Sequence, residues 1–379
     1  MATIVPPLVA VLATIPDFRS PQGKRHPLLA LLLLACAAML CGARGESAIA
    51  EWAHNYGPLW RARLGFTHPR GPSQSTIQRL FKGIDCAALE RCLGAWAGEV
   101  LRHAPVDDAP LPFEVLAIDG KTLRTSRKCG AADAHLLSAL SQRLGVVLGQ
   151  VAVADKTNEI TAVDDLLTAL VLDGWVVTTD ALLTQTDIAQ TICDAGGEYL
   201  LVVKENQPTL LEDVTILFAD VALHERRATE VRMHSQRIER RTLTTATALV
   251  GYSDWPGLRQ ALCIERRVTE KRTGETRSEV AYAITSLPPE RATAAQLLQV
   301  WREHWHIENK LHWVRDVTFD EDRSTVRVGQ IPQALAALRN AVIGLHRACG
   351  ASNIAAACRR YAAQPALPLT ALGLTWENE

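Results

Sequence analysis

The sequence predicts an α/β protein with a mixed sheet, a helical region before it and a β-rich insertion within it. Three observations predict this. Residues 1 to 105 keep a helical pattern of apolar positions. From residue 113 the period changes, and strand-like and helix-like runs follow in the order β-β-β-α-β-α-β. Residues 223 to 286 then carry strand-like runs alone, before helical periodicity returns at Thr293. Three strands joined by short turns, followed by alternating crossovers, predict a mixed sheet with helices packed on it.

In chain order, IPDFRSPQGKRHP is a turn-rich entry to the apolar helix LLALLLLACAAMLC (28–41), with Pro27 at its first turn. GPSQSTIQRLF (71–81) offers Ser73 or Ser75 as an N-cap before a helix bearing Arg79 and Lys82. That fits a small helical DNA-binding unit and a plain packing domain equally. Asp107 to Pro112 reads as a linker. FEVLAIDG (113–120), HLLSALS (135–141) and GVVLGQVAVA (145–154) read as strands, the first ending at Asp-Gly. ITAVDDLLTALVLDG (160–174) is a helix stopped by Gly174, and WVVTTDA (175–181) a strand ending at an Asp. TQTDIAQTICDAGG (184–197) is a helix, and EYLLVVKEN (198–206) a fifth strand. In the insertion, RTLTTATALVGY, QALCIERRVTEK and RSEVAYAITSL read as strands, the last two joined across Arg272–Glu275. HWHIENKLHWVRDVTFDED (304–322) reads as one amphipathic helix running into an acidic turn, and PQALAALRNAVIGLHR as the last helix. These boundaries divide the chain into a helical domain (1–105), a first core segment (106–222), the insertion (223–286), a second core segment (287–347) and a tail (348–379).

Composition narrows the class. With 48% hydrophobic residues the 379-residue chain can bury a sizeable core. Net charge is −1, so whole-protein charge names no partner, but its distribution does. Arg19 to Arg91 holds ten Lys/Arg against four Asp/Glu, and Arg323 to Arg360 holds six Arg and no acid. Most of the basic residues are Arg, which grips phosphate bidentately, so basic flanks around a more acidic centre suit nucleic acid. An Arg-rich compositional bias on solvated faces is the alternative. The nine cysteines form no C-x-x-C pair, which points to a reducing cytoplasm and no disulfide framework. The amino terminus lacks a charged secretion signal, and the apolar run at 28–41 is short for a membrane span.

Asp119 and Asp180 each follow a β-branched apolar run, and ligands of open α/β sheets gather at strand carboxyl ends. Taken singly, an Asp at such a place is more often a turn residue. On the late helix, a 100° rotation per residue puts Trp301, His304, Glu308 and Arg315 within roughly 60° of one another. An aromatic, a His, a carboxylate and an Arg make a poor hydrophobic stripe and a poor solvent face, but a serviceable active-site face. Crowded carboxylates repel unless a cation lies between them, and open oxygen-ligand sites select Mg²⁺ or Mn²⁺. Two such ions can activate one oxygen and stabilise another in phosphodiester displacement. A glycosidase pair with a helper acid is the competing chemistry, but it leaves the Arg-rich flanks unexplained.

AIDGKT (117–122), TNEITAV (157–163), TTDALLTQTDIA (178–189), YLLVVKENQ (199–207) and the 304–322 string resemble the DDE transposases of insertion sequences. The nearest likeness is to the ISAs-type branch, which includes the H-repeat-associated proteins. The resemblance covers nearly the whole chain. It implies a ribonuclease-H-like core with a β insertion before the last acid, and Asp119, Asp180 and Glu308 as a triad binding two Mg²⁺ or Mn²⁺ ions. It also implies cleavage at element ends, attack of the freed 3′-hydroxyl on target DNA, double-stranded DNA as partner, a homodimer on DNA and a nucleoid-associated cytoplasmic location. The wider class has the spacing Y-x2-R-x3-E-x6-K, where this chain holds Trp301, His304, Glu308 and Arg315. Glu205 stands where a VKGNQ-like string would have Gly.

Lys121, Lys204, Asn206, Trp301, His304 and Arg315 are the candidate DNA contacts; Asn309 and His312 flank Glu308 and are candidates to orient it. Gln185 reads as a helix cap; Asp316, Glu321 and Asp322 read as capping acids, and His306 as a packed or surface histidine. A transposase-derived DNA-binding protein without strand-transfer activity is the runner-up reading.

Overall fold

The computed structural model describes residues 5–105, 111–123, 134–153, 159–326, 328–364 and 366–374. Residues 107–110 of the expected linker, and Thr157 and Asn158 of the TNEITAV string, lie outside them. The chain forms two compact units, one of residues 1–109, 120–158 and 306–379, the other of residues 110–119 and 159–305.

The first unit is mainly helical. It opens with α1 (Leu8–Leu12), α2 (Leu28–Leu40), α3 (Glu46–Asn55), α4 (Gly57–Arg63), α5 (Gln74–Gly83) and α6 (Cys86–His103). Strand β1 (Glu114–Leu123) runs from the second unit into this one, followed here by β2 (Ala134–Ser141) and β3 (Val147–Val153). Every residue of α2 but Leu29 is buried. That all-round apolar pattern is the mark of a helix inside a core. Among the described residues no helix is long and apolar enough to cross a membrane.

The second unit is built on the sheet. Its remaining strands are β4 (Trp175–Thr179), β5 (Glu198–Val203), β6 (Arg226–Met233), β7 (Arg237–Ala246), β8 (Gln260–Glu270) and β9 (Thr276–Thr285). Its helices are α7 (Glu159–Thr168), α8 (Thr186–Asp194), α9 (Pro208–Ala219) and α10 (Ala294–His304). The first unit closes with α11 (Trp313–Val317), α12 (Ile331–Ala348), α13 (Ile354–Ala363) and α14 (Ala366–Leu372).

Strand order is β3-β2-β1 in the first unit and β1-β4-β5-β9-β8-β7-β6 in the second. β2 and β3 are antiparallel; β1, β4 and β5 are parallel. Within the second unit, β1, β4 and β5 form the parallel run expected of a ribonuclease-H-like core. The insertion extends the same sheet, because β9 pairs antiparallel with β5 and β8, β7 and β6 follow as a meander. Leu243, Leu262 and Ala283 of the insertion share one core with Val176, Leu200 and α10. The sequence reading missed β6. RRATEVRM is charged and exposed, as an edge strand should be to discourage pairing with other chains, and so it carries little apolar alternation.

In the first unit α6 lies against β3 so closely that a Cβ on Gly94 would stand 2.4 Å from the Leu148 carbonyl oxygen. Mid-helix glycine normally costs about 1 kcal/mol relative to alanine. Here the backbone approach requires it. Gly94→Ala should therefore destabilise the protein, by about 1–3 kcal/mol of overpacking. A raised or unchanged melting temperature for Gly94→Ala would contradict this packing.

Candidate active site

The second unit carries both aspartates. Parallel pairing of β1 with β4 runs from Glu114↔Trp175 to Ile118↔Thr179, so Asp119 and Asp180 are the next residues on two neighbouring strands. The reading of Asp119 as a strand terminus needs correction. β4 stops at Thr179, but β1 continues through Asp119 to Leu123. Asp119 leaves the β4 ladder without leaving its strand. Gly120 permits this in the first unit, since a Cβ there would meet the His135 ring at 2.4 Å.

Asp180 is exposed and caps a short 3₁₀ turn, Ala181–Leu183, its Oδ1 accepting from the Leu183 N–H at 3.3 Å. The turn after β5 is fastened to that one. Asn206 Nδ2 donates to the Ala181 carbonyl at 2.6 Å, and Gln207 Nε2 to the Thr184 carbonyl at 3.0 Å and Gln185 Oε1 at 3.1 Å. Thr184 Oγ1 donates to the Val202 carbonyl at 2.6 Å. Asn206 and Gln185 thus hold the loop that presents Asp180. Lys204 and Glu205, in the same turn, are exposed. Trp301 packs partly buried against the sheet core, and His304 Nδ1 lies 2.9 Å from Thr178 Oγ1, beneath the end of β4.

Glu308 belongs to the first unit. The expected single helix is not regular there. α10 ends at His304, with Trp305 as its cap, and Glu308–His312 forms a π turn in which the Trp313 N–H bonds to the Glu308 carbonyl. Inserting one residue into the ladder breaks the 100° rule, and π turns recur at functional sites. This is why Arg315 leaves the face assigned to it. It is fully buried, its Nε donating to Glu321 Oε2 at 2.8 Å, while Arg339 Nη1 donates to Glu321 Oε1 at 2.7 Å. Burial pushes the Glu321 pKa up, but Arg315 and Arg339 outweigh it and hold the carboxyl ionised.

Lys121 is also buried, with Asp316 Oδ2 at 2.6 Å and Asp322 Oδ1 at 3.9 Å from its Nζ. Its ammonium ties β1 to α11 and the acidic turn. Asp316, Glu321 and Asp322, read from sequence as caps, are thus partners of buried cations. Buried His312 approaches Glu308 through Nδ1 at 3.1 Å. That hydrogen bond lowers the Glu308 pKa; burial opposes it, and the charge of Lys121 adds to it. Asn309 is exposed and His306 half-buried. The sequence reading gave exposed Trp305 and Trp313 no functional role, although both stand in the same string as Glu308.

Two outcomes follow from these contacts. Glu321→Gln removes the carboxylate that two buried guanidinium groups share as hydrogen-bonded countercharge. Breaking a buried pair from one side costs about 3–5 kcal/mol, so the variant should melt well below wild type, and wild-type stability would contradict the arrangement. The second concerns acid. Burial holds His304 down to about 4. The unfolded chain therefore takes up a proton between the ordinary His value of about 6.5 and that lower one, while the folded chain does not. The His304 contribution is complete above the ordinary value and is lost as pH falls through this window. Glu90, pushed up to about 7 by burial, acts in the opposite direction. Comparison with a variant isolates the histidine: His304→Gln should lose less stability than wild type between pH 7 and pH 5, and equal slopes would contradict its burial.

Comparison with known proteins identifies the family. The family described as "Transposase DDE domain" matches residues 110–343, and "DDE_Tnp_1-associated" matches residues 9–97. The chain is similar to "H repeat-associated putative transposase YhhI" of Escherichia coli K12, 32% identical over 89% of each chain. It is also similar to "Uncharacterized protein in dhlA 3'region" of Xanthobacter autotrophicus, 34% identical over 72% of this chain and 92% of that one. Among solved structures, a piggyBac transposase synaptic complex with hairpin DNA matches with a TM-score of 0.44 and 10% identity, over 98% of this chain and 78% of that one. The match across residues 110–343 and the long alignments to these relatives establish that the chain belongs to the DDE transposase family.

Proposed function

We propose that the protein is a DNA transposase that cuts the ends of its own insertion sequence and joins the freed 3′-hydroxyl to target DNA. Asp119, Asp180 and Glu308 are the proposed metal-binding triad. The observation that carries the reading is the β1–β4 register, which sends Asp119 and Asp180 from adjacent parallel strands at one level. Family membership supports it, as does a Glu308 kept ionised by His312 on an irregular turn.

The donors suit hard divalent cations. All three are carboxylates; Asp180 is exposed and Asp119 and Glu308 are half-buried, leaving room for water and phosphate oxygens beside them. Bound there, two Mg²⁺ or Mn²⁺ ions would supply activation of the attacking oxygen and stabilisation of the departing one. The chain's own residues position the acids. Asn206 and Gln207 hold the Asp180 loop, Lys121 secures the turn around Asp316 and Asp322, and His312 orients Glu308. Lys204, exposed beside this loop, is a proposed DNA contact, with Trp301 and His304 supporting the strand end from below. We also propose that residues 1–105 contribute to DNA binding, and that two copies act together on paired ends.

The test is cleavage and joining on DNA carrying the element's ends. Asp119→Asn, Asp180→Asn and Glu308→Gln should each lower both steps by about a thousandfold or more, given the several kcal/mol a metal centre supplies, while DNA binding in EDTA persists. Chelation should silence wild type, and binding should fall steeply as salt rises. Undiminished strand transfer in any of the three variants would overturn the triad. Binding without metal-dependent cleavage by wild type would favour a DNA-binding protein derived from a transposase.

A further inference from the structure

The first unit holds a second feature that the triad leaves unused. A groove of about 940 Å³ is walled by Arg44, Arg143, Lys310, Trp313, Arg347 and Arg359, with no Asp or Glu among its lining residues. Its size lies at the upper end of the roughly 300–1,000 Å³ typical of small-ligand pockets, which suits a nucleotide or two and not the width of a duplex.

Its chemistry is that of a site for phosphate and base together. Arg359 is exposed on α13. The Arg347 side chain donates to the carbonyls of Gly145 and Lys310, neutral partners that fix its direction and leave its charge uncompensated by them. Arg44 bonds Asp320 at 3.1 Å, outside the lining. Trp313 stands 54% exposed on this cationic wall, while its neighbour Val314 is buried. An indole beside cations offers a stacking platform next to phosphate ligands, the combination that binds single strands through backbone charge and base stacking.

We propose that this groove binds a short single-stranded stretch of nucleic acid, with phosphates on its arginines and a base stacked on Trp313. Lys310 and Trp313 come from the π turn of Glu308 and the residue after it, so the groove begins on the helix that carries the last acid. Naming the nucleic acid as DNA rests on the transposase reading; the binding itself does not.

The test uses the full chain in EDTA, which separates it from cleavage. Fluorescence anisotropy would compare a labelled oligo-dT, a duplex with a short unpaired overhang, and the same duplex blunt. Trp313→Ala should weaken binding of the oligo-dT and the overhang by about tenfold, leave the blunt duplex within about twofold, and be largely reversed in Trp313→Phe. Arg359→Glu should weaken single-strand binding and lower its salt slope by about one contact's share, roughly 0.7. Both variants should keep the wild-type melting temperature. The proposal is overturned if wild type does not bind oligo-dT, or if Trp313→Ala changes single-strand and blunt-duplex affinity alike.

Discussion

The parallel pairing of β1 with β4 is the constraint on which the rest depends. Side chains on neighbouring parallel strands at one level have no freedom to drift apart, because five successive backbone pairs set the register before Asp119 and Asp180 are reached. A slip of one residue would turn every side chain of β1, Asp119 included, to the opposite face and force the tightly packed core to rearrange. The flanking run is buried almost without a break, from Val115 to Ile118 and from Val176 to Thr179, as a parallel strand covered on both faces should be. The apolar core therefore fixes where the carboxylates stand.

Charge buried in the first unit does a different job. Glu321 lies between Arg315 and Arg339, and Lys121 faces Asp316 and Asp322. The pair Arg315–Glu321 closes a local turn, while Lys121 and Arg339 reach it from other parts of the chain, and each pair would be destabilising if left half made. Together they hold the turn after Glu308 against the end of β1 and against α12. The geometry of this turn is thus secured by ion pairs whose cations, and Glu321 among the acids, are buried.

The order of elements was legible in the sequence because the core strands are β-branched and bounded by turn residues, as WVVTTDA and EYLLVVKEN show. The two aspartates and Glu308 stood out as candidates for the same reason, one carboxylate after each apolar run and one amid aromatic residues. What escaped was local and polar. β6 hid because an exposed edge strand needs no apolar alternation. The continuation of β1 past Asp119 was hidden because Asp-Gly is ordinarily a stop signal, and only the His135 ring over Gly120 explains its persistence. The π turn could not be read from a 3.6-residue period, and so Arg315 was placed on an open face when it is wholly buried. Lys121 and Asn206 looked like phosphate ligands because sequence shows a side chain's chemistry and not its neighbour, here Asp316 and the Ala181 carbonyl.

The central claim is that Asp119 and Asp180 share a divalent ion. Anomalous diffraction from crystals soaked in Mn²⁺ tests it most directly. The account predicts a manganese peak within coordination distance of a carboxylate oxygen of each aspartate. Manganese bound elsewhere, with both carboxylates bare at saturating metal, would contradict it.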